Sequence, residues 1–466
     1  MIGAGAGGLT VALGLAAFGR RVALVEAGRV GGDCTNTGCI PSKRLIHLSR
    51  SHTGWDQSTR ILADVRATRD GLSRQETTEL EHTSGVEFVR GSARFTSRST
   101  VSVEGPDGEQ PLRAARIVIA TGSRASDIDI PGLPADRHLT NENLFELDAA
   151  PGHLTIVGAG AISLEMAGAF TRMGTQVTLI DVADRVLPHA LRGASATLER
   201  ALREEGVDIR LETRVRSYDA RGGVLHVEGP AGDDQVHGVD AVLVAVGRVP
   251  NVDSLNLAVV GLAADRDGIA VDSWGRTSTR GIWAVGDVTQ GSHQTHAANA
   301  LGRRAVQRIG LPWLPPVGRP PVIASAVFCE PEVAWVGLSQ AELSRRYSSR
   351  VVRHVRVEFA DLDRGLTDGV RHGFIAVDAI RLTGRILSAT VVGPGSSELI
   401  ALVTLAISRG VSLFKLSRLA YTYPTFAGAI GRVADEFARG TLTNLRTEIT
   451  TYATHRFGRG DRSRRA

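Results

Sequence analysis

Two of the chain's three cysteines, Cys34 and Cys39, lie with four residues between them in the stretch Gly31-Gly32-Asp33-Cys34-Thr35-Asn36-Thr37-Gly38-Cys39-Ile40-Pro41-Ser42-Lys43. A pair this close, flanked by glycines, suits a disulfide that opens and closes during turnover. A structural staple gains more by closing a long loop. Zinc needs four ligands, and no second Cys/His cluster follows. The chemistry on offer is therefore thiol–disulfide exchange.

The elements that must position this pair surround it. Gly3-Ala4-Gly5-Ala6-Gly7-Gly8 contains GxGxxG and opens an apolar stretch from Leu9 to Phe18 that predicts a helix. Val22-Ala23-Leu24-Val25 follows as a buried strand ending at Glu26. Glycines at 3, 5 and 8 let the backbone approach a pyrophosphate at the helix N-terminus, and the acid accepts hydrogen bonds from ribose hydroxyls. The arrangement returns. Leu154 to Glu165 reads as strand, tight turn with Gly158 and Gly160, and helix; Val177-Thr178-Leu179-Ile180 leads to Asp181. Ile117 to Ser123, with Thr121 and Gly122, closes the first unit, and Val242 to Arg248, with Gly247, closes the second. Two dinucleotide folds imply two dinucleotides. Beside a redox cysteine pair, a flavin on the first and a nicotinamide on the second is the economical pairing.

On these residues the chain resembles the flavin-dependent pyridine nucleotide-disulfide oxidoreductases, the group that includes dihydrolipoamide dehydrogenase and mercuric reductase. The resemblance runs from Met1 to about Gly440 through the cysteine box, Ala120-Thr121-Gly122, Gly247-Arg248-Val249-Pro250-Asn251 and Gly281 to Val288. The region from Pro321, with Pro331 to Leu338, looks like the family's dimerisation domain. The implied fold class is α/β, two Rossmann-like dinucleotide-binding domains plus a C-terminal α+β dimerisation domain. The implied domains are an FAD-binding part over 1–150, an NAD(P)-binding domain over 151–270 and a return segment of the FAD domain over 271–318. A dimerisation domain over 319–440 and an Arg-rich tail over 441–466 complete the division.

The resemblance also implies roles. Cys39 is the thiolate nearest the flavin, and Cys34 faces the substrate. Lys43 is the cation near the flavin, paired with Glu165. Asp287 bonds the ribityl chain and Glu26 the adenosine ribose of FAD. Lys43 and Lys415 are the only lysines of the chain, so an ammonium is kept at position 43 against a strong arginine bias. A compact point charge fits where a planar guanidinium would not. Asp181 accepts from a ribose 2′-hydroxyl and repels a 2′-phosphate, which favours NAD(H) over NADP(H); Arg185 nearby complicates that choice. Ser163 replaces the third glycine of the second fingerprint, a minor change for a small residue.

A chain of 466 residues is too long for one core and requires two or three domains. A net charge of +5 is modest at this size and calls for no nucleic acid. No apolar run reaches membrane-spanning length and no secretory signal precedes the first glycine turn. Few cysteines around a thiol centre suit the cytoplasm. The end from Arg456 to Ala466 reads as a solvated, disordered tail.

Three departures from the family pattern stand out. Only Met1 and Ile2 precede Gly3, whereas a Rossmann unit needs a strand of about five residues there; a start lying upstream is expected, and an extended version should bind FAD more tightly. In Leu419 to Gly428, Tyr423 occupies the position of the family's acid–base histidine and Gly428 that of its glutamate. A tyrosine near its normal pKa of about 10 donates a proton more readily than it takes one. The mercuric reductases' C-terminal cysteine pair has no counterpart in the tail, and Cys329, in an apolar stretch, reads as a buried inert thiol. His293 and His296 read as local hydrogen-bonding groups.

The expected function is an FAD-dependent NAD(P)H:disulfide or dithiol oxidoreductase. It acts as a homodimer on a small-molecule or protein-bound disulfide, with dihydrolipoamide dehydrogenase the nearest activity and no nucleic acid, membrane or metal involved. The alternatives are a mercuric reductase-like activity, a diaphorase passing electrons to quinones, and a flavoprotein whose catalysis has decayed.

Overall fold

Strand Val22–Glu26 is apolar, rich in valine, and lies parallel to Val86–Arg90. Ile117–Ile119 lies parallel to Ile282–Ala284. Ile2 bridges the two pairs, parallel to both Val25 and Ile119, so the strand order of the first unit is 86–90, 22–26, Ile2, 117–119, 282–284. The strand expected ahead of Gly3 is thus represented by the single bridging residue Ile2. Its amide donates to the Val118 carbonyl at 2.9 Å and its carbonyl accepts from Ala120 at 2.7 Å. These strands belong to the computed structural model, which describes residues 1–51, 54–291, 293–315 and 318–457.

The second unit repeats the plan. Its sheet is parallel, in the order Asp208–Arg210, Gln176–Ile180, His153–Val157, Ala241–Val244, His138–Leu139. All five residues of the innermost strand are buried, as a strand covered on both faces requires. The likeness extends to a three-stranded antiparallel meander in each unit, Ser92–Ser97 to Gly108–Arg113 in the first and Arg214–Asp219 to Gly232–Val236 in the second. Ile282–Ala284 joins the first sheet from beyond the second unit, so the chain leaves the first unit and comes back to it. The crossings are tied by a short antiparallel strap, Ser123–Ala125 against Arg248–Pro250.

The C-terminal part is a five-stranded antiparallel sheet in the order Ala324–Val327, Val333–Gly337, Ile386–Val392, Phe374–Ile380, Val352–Glu358. Helices Ser396–Arg409 and Gly428–Thr443 pack on it over a core that includes Phe359, Val391 and Phe437. The region from 441 is not a loose tail as far as it is described. Leu445–Phe457 is a helix, and Glu448, 3% exposed, accepts from Arg353 and from Arg381 (2.9 Å) on the sheet. That buried ion pair fastens the helix to the domain, which a reading of arginine content does not reveal. Most of the expected disordered end, 458–466, lies outside the described residues.

Candidate active site

Gly31 and Gly32 adopt positive φ (98° and 59°), which turns the chain out of the first unit into a one-turn helix, Gly32–Asn36, carrying Cys34. A second helix, Cys39–Ser51, starts at the other cysteine and carries Lys43 one turn on. Both cysteines are free thiols and half-buried. They share one proton unequally. Cys34, hydrogen-bonded to Cys39 and desolvated, is held well above the ordinary thiol range. Cys39 is lowered to about 6, first by that hydrogen bond from Cys34, against a burial penalty, and then by Thr295 and Lys43. The reduced pair is therefore a Cys34 thiol beside a Cys39 thiolate.

Three parts of the chain converge on the cation. Lys43 Nζ donates to Glu165 Oε2 at 2.8 Å and Oε1 at 3.0 Å. Glu165 is 5% exposed and lies in the helix Ala161–Arg172 of the second unit. The amide of Phe328, from the C-terminal domain, donates to the same carboxylate at 3.0 Å, and the Phe328 ring lies 4.6 Å from Nζ. The lysine is thus fixed by charge, by hydrogen bonds and by a ring face.

The two fingerprints superimpose in their chemistry. A Cβ at Gly3 would lie 2.3 Å from the Ala120 carbonyl oxygen, and one at Gly158 2.4 Å from that of Ala245; both have positive φ. Gly160 faces open space, and at Gly5 only Gly32 Cα comes within 4 Å. In each unit, then, one glycine permits strand packing and the next leaves the turn bare for a ligand. A Cβ at Gly8 would strike the Gly3 carbonyl, whereas the second unit takes Ser163 at the matching place, fully buried and with its hydroxyl unpartnered among the described residues. The acids also match. Glu26 accepts from the amides of Ala4 (2.6 Å) and Gly28 (2.7 Å), and Asp181 from those of Ala159 (2.5 Å) and Ala183 (2.7 Å). Each holds its glycine turn while keeping lone pairs for a ribose. Arg185 is turned aside, donating to the Pro188 carbonyl at 2.5 Å.

Glu26, Asp181, Gly5, Gly160, Cys34 and Cys39 all line one continuous cavity of about 2020 Å³. Both glycine turns and both cysteines open onto it. A cavity that joins two bare glycine turns to a cysteine pair fits FAD on the first unit and a nicotinamide nucleotide on the second. Asp287, whose carboxyl is pushed up by burial against the pull of Arg248, accepts from Ser123 Oγ at 3.2 Å and faces this cavity. Gly122 and Gly247 flank the strap and also line it. Thr121 is turned to the strap, donating to the Asn251 carbonyl at 2.6 Å.

Two groups at the site were not foreseen. Thr295 opens the helix Thr295–Gly310, and its Oγ1 lies 3.5 Å from Cys39 Sγ. Arg248 bridges Asp33, next to Cys34, to Ser123. Its place in Gly-Arg-Val-Pro-Asn marks it, but nothing in the sequence names its partner. His296 bonds the Ala324 carbonyl at 2.7 Å and His293 lines the cavity near Asp287. Cys329 is fully buried, its thiol pushed far up by desolvation. Tyr423 does not line the cavity of its own chain; it is 77% exposed on the C-terminal domain. At Gly428 a side chain would meet nothing within 4 Å.

This pairing of two dinucleotide turns with a vicinal thiol–thiolate defines a class, and the chain belongs to it. The profile of the pyridine nucleotide-disulphide oxidoreductases matches residues 1–302, and that of the family's dimerisation domain residues 323–434. Among curated relatives, dihydrolipoyl dehydrogenase 3 of Haloarcula marismortui is 32% identical over 93% of this chain and 95% of its own. A mercuric reductase of Streptomyces lividans is 31% identical over 94% and 95%. Among solved structures, the Cu(II) complex of RclA, an HOCl-induced flavoprotein disulfide reductase from Escherichia coli, superimposes with a TM-score of 0.85 at 28% identity. It covers 93% of this chain and 98% of that one. LpdA from Mycobacterium tuberculosis gives 0.83 at 27% identity, with the same coverage of each.

Proposed function

We propose that this flavoenzyme takes electrons from NADH and delivers them through Cys34 and Cys39 to a disulfide. The observation that carries the reading is geometric: the free Cys34 and Cys39 open onto the same cavity as both glycine turns, with Thr295 Oγ1 3.5 Å from Cys39 Sγ and Lys43 lining the same cavity. When bound, FAD supplies two-electron chemistry between a nicotinamide and a dithiol. The chain supplies the rest. Gly3, Gly5 and Gly8 admit a pyrophosphate; Glu26 binds the adenosine ribose and Asp287 the ribityl hydroxyls. Gly158, Gly160 and Asp181 do the same for NADH, and Asp181 disfavours a 2′-phosphate. Lys43, steadied by Glu165, holds positive charge beside the thiolate. Cys34, the outer sulfur, exchanges with the acceptor, and Cys39 resolves the mixed disulfide.

The family's dimerisation domain supports a homodimer, and the thiol chemistry suits the cytoplasm. Among the described residues no helix is long and apolar enough to cross a membrane. The nearest activity is that of dihydrolipoyl dehydrogenases. A diaphorase reading, with quinones as acceptors, draws support from Tyr423 and Gly428, which replace an acid–base pair that quinone reduction does not use.

Cys34→Ser separates the two. Disulfide reduction by the variant should fall below detection while NADH:menadione turnover continues. Disulfide reduction retained by the variant would contradict the proposed route.

A further inference from the structure

The first unit holds a second cavity, of about 690 Å³, that neither Cys34 nor Cys39 lines. Met1, Ile2, residues 20–23 and residues 112–118 line it. The last two stretches lead into the strands that Ile2 bridges, Val22–Glu26 and Ile117–Ile119. The backbone bonds settle which groups face it. Val22 donates to the Gly85 carbonyl and Ile117 to that of Gly281, each on the far side of its strand. Alternation along the strand turns Ala23 and Val118 the other way, and their carbonyls accept from Met1 at 2.7 Å and Ile2 at 2.9 Å. The Ala23 and Val118 amides point to the same side. In the parallel register that Ala120 and Val25 keep with Ile2 and Met1, the Val118 amide aims at the carbonyl of a residue immediately before Met1. The Ala23 amide aims at that of the residue before it. Val118 is 2% exposed, and an amide so placed demands a partner.

The amine of Met1 points the same way. It stands in the ladder beside the Ala23 carbonyl, and burial lowers its pKa from an ordinary 8.0 to about 5. The charged residues lining the cavity are Arg20, Arg21, Arg113, Arg116 and Glu87, four of them cations like the amine itself. A peptide amide at that place makes the same bond to Ala23 with no charge to desolvate. The walls are apolar on both faces. Leu15 and Ile309 belong to the core that Met1 packs against, and Val101 to the core that contains Ile2, with Leu112 packed beside it. Two facing rows of backbone groups between two apolar walls suit an extended chain.

We propose that this cavity is a strand-binding slot, and that its occupant is an extended apolar segment joined by a peptide bond to the nitrogen of Met1. Covalent continuation is the occupant because that nitrogen already holds a ladder position, 2.7 Å from the Ala23 carbonyl, and lines the slot with its residue. The segment lies parallel to both neighbours. Because both faces are covered, it is apolar at successive positions and rich in β-branched residues instead of alternating with polar ones. About five residues make a strand of ordinary length. The strand so completed leads straight into the turn of Gly3, Gly5 and Gly8, and fixes that turn against both neighbours.

The test compares the full chain beginning at Met1 with two versions extended ahead of it, one by Thr-Val-Val-Ile-Val and one by Gly-Ser-Gly-Ser-Gly. Amide hydrogen exchange is read at Ala23 and Val118, and urea unfolding is followed at pH 8 and pH 5. The apolar extension should slow exchange at both amides by about 10²-fold or more, and the Gly-Ser extension should leave them unchanged. The pH dependence has a definite sign. In the chain beginning at Met1 the amine is neutral when folded and charged when unfolded between about pH 5 and pH 8. Its folding equilibrium therefore falls as pH is lowered through that window, by about 10³-fold in all. The apolar extension carries its amine elsewhere, so its advantage over the Met1 version should widen from pH 8 to pH 5. Equal exchange in the two extended versions would overturn the slot, and that comparison stands even if the Met1 version does not fold. An advantage identical at both pH values would contradict the buried amine. Equal protection of the Met1 version by the free Thr-Val-Val-Ile-Val peptide at equimolar concentration would place the occupant on another chain and overturn the covalent assignment.

Discussion

Thr295→Val is the sharpest probe of the thiolate. It replaces a hydroxyl by a methyl at nearly constant volume at the start of a 16-residue helix. What is lost is the donor 3.5 Å from Cys39 Sγ. A hydrogen bond to a charged group is worth about 1.5–3 kcal/mol, and a long contact to a diffuse sulfur belongs at or below the lower end. With about 1.4 kcal/mol per pKa unit, the Cys39 pKa should rise by about one unit from its value of about 6. The sign is fixed, since removing a donor to the anion favours the thiol. At pH 6.5 the thiolate fraction should fall from about three quarters to about one quarter. The assay is a pH titration of the long-wavelength thiolate–flavin absorbance of the two-electron-reduced enzyme. Thr295→Ser should titrate with the wild type. An unmoved midpoint in Thr295→Val, or a serine variant that behaves like valine, would refute the role of the hydroxyl.

Two further outcomes follow from the geometry. Asp181→Asn removes the negative charge but keeps an acceptor for one of its two amides. The ratio of kcat/KM for NADH over NADPH should fall by about tenfold or more, given that a like-charge clash costs several kcal/mol; an unchanged ratio would mean that Asp181 does not face the 2′ position. Glu448→Ala strands the mostly buried Arg353 and the partly exposed Arg381. Breaking such a cluster should cost about 3 kcal/mol in urea-induced unfolding of the C-terminal domain, whereas a surface role would leave the midpoint in place.

The parts of the site that were legible from the chain are those in which one residue type and one spacing answer one physical demand. The glycine turns need bare backbone, and Gly3, Gly158 and Gly160 show why. The acids close each second strand because the following turn needs its amides capped. The Lys43–Glu165 pair was anticipated from resemblance, with the lysine scarcity pointing the same way. What could not be read is what depends on distant segments meeting. Thr295 and the Arg248–Asp33 bridge are joined to their partners across 256 and 215 residues respectively, and each looks like an ordinary surface residue in sequence. The C-terminal helix was missed for the same reason, because its anchor Glu448 takes its meaning only from Arg353 and Arg381. The strand ahead of Gly3 was expected to be cut short, and Ile2 is the residue that bridges its two parallel neighbours, Val25 and Ile119.

The central claim, that electrons pass from NADH to a Cys34 thiol and a Cys39 thiolate, is tested most directly by an anaerobic NADH titration followed in the visible spectrum. The account predicts a long-wavelength thiolate–flavin band that grows with the first equivalent and is lost in Cys39→Ser. Flavin that bleaches without that band would contradict it.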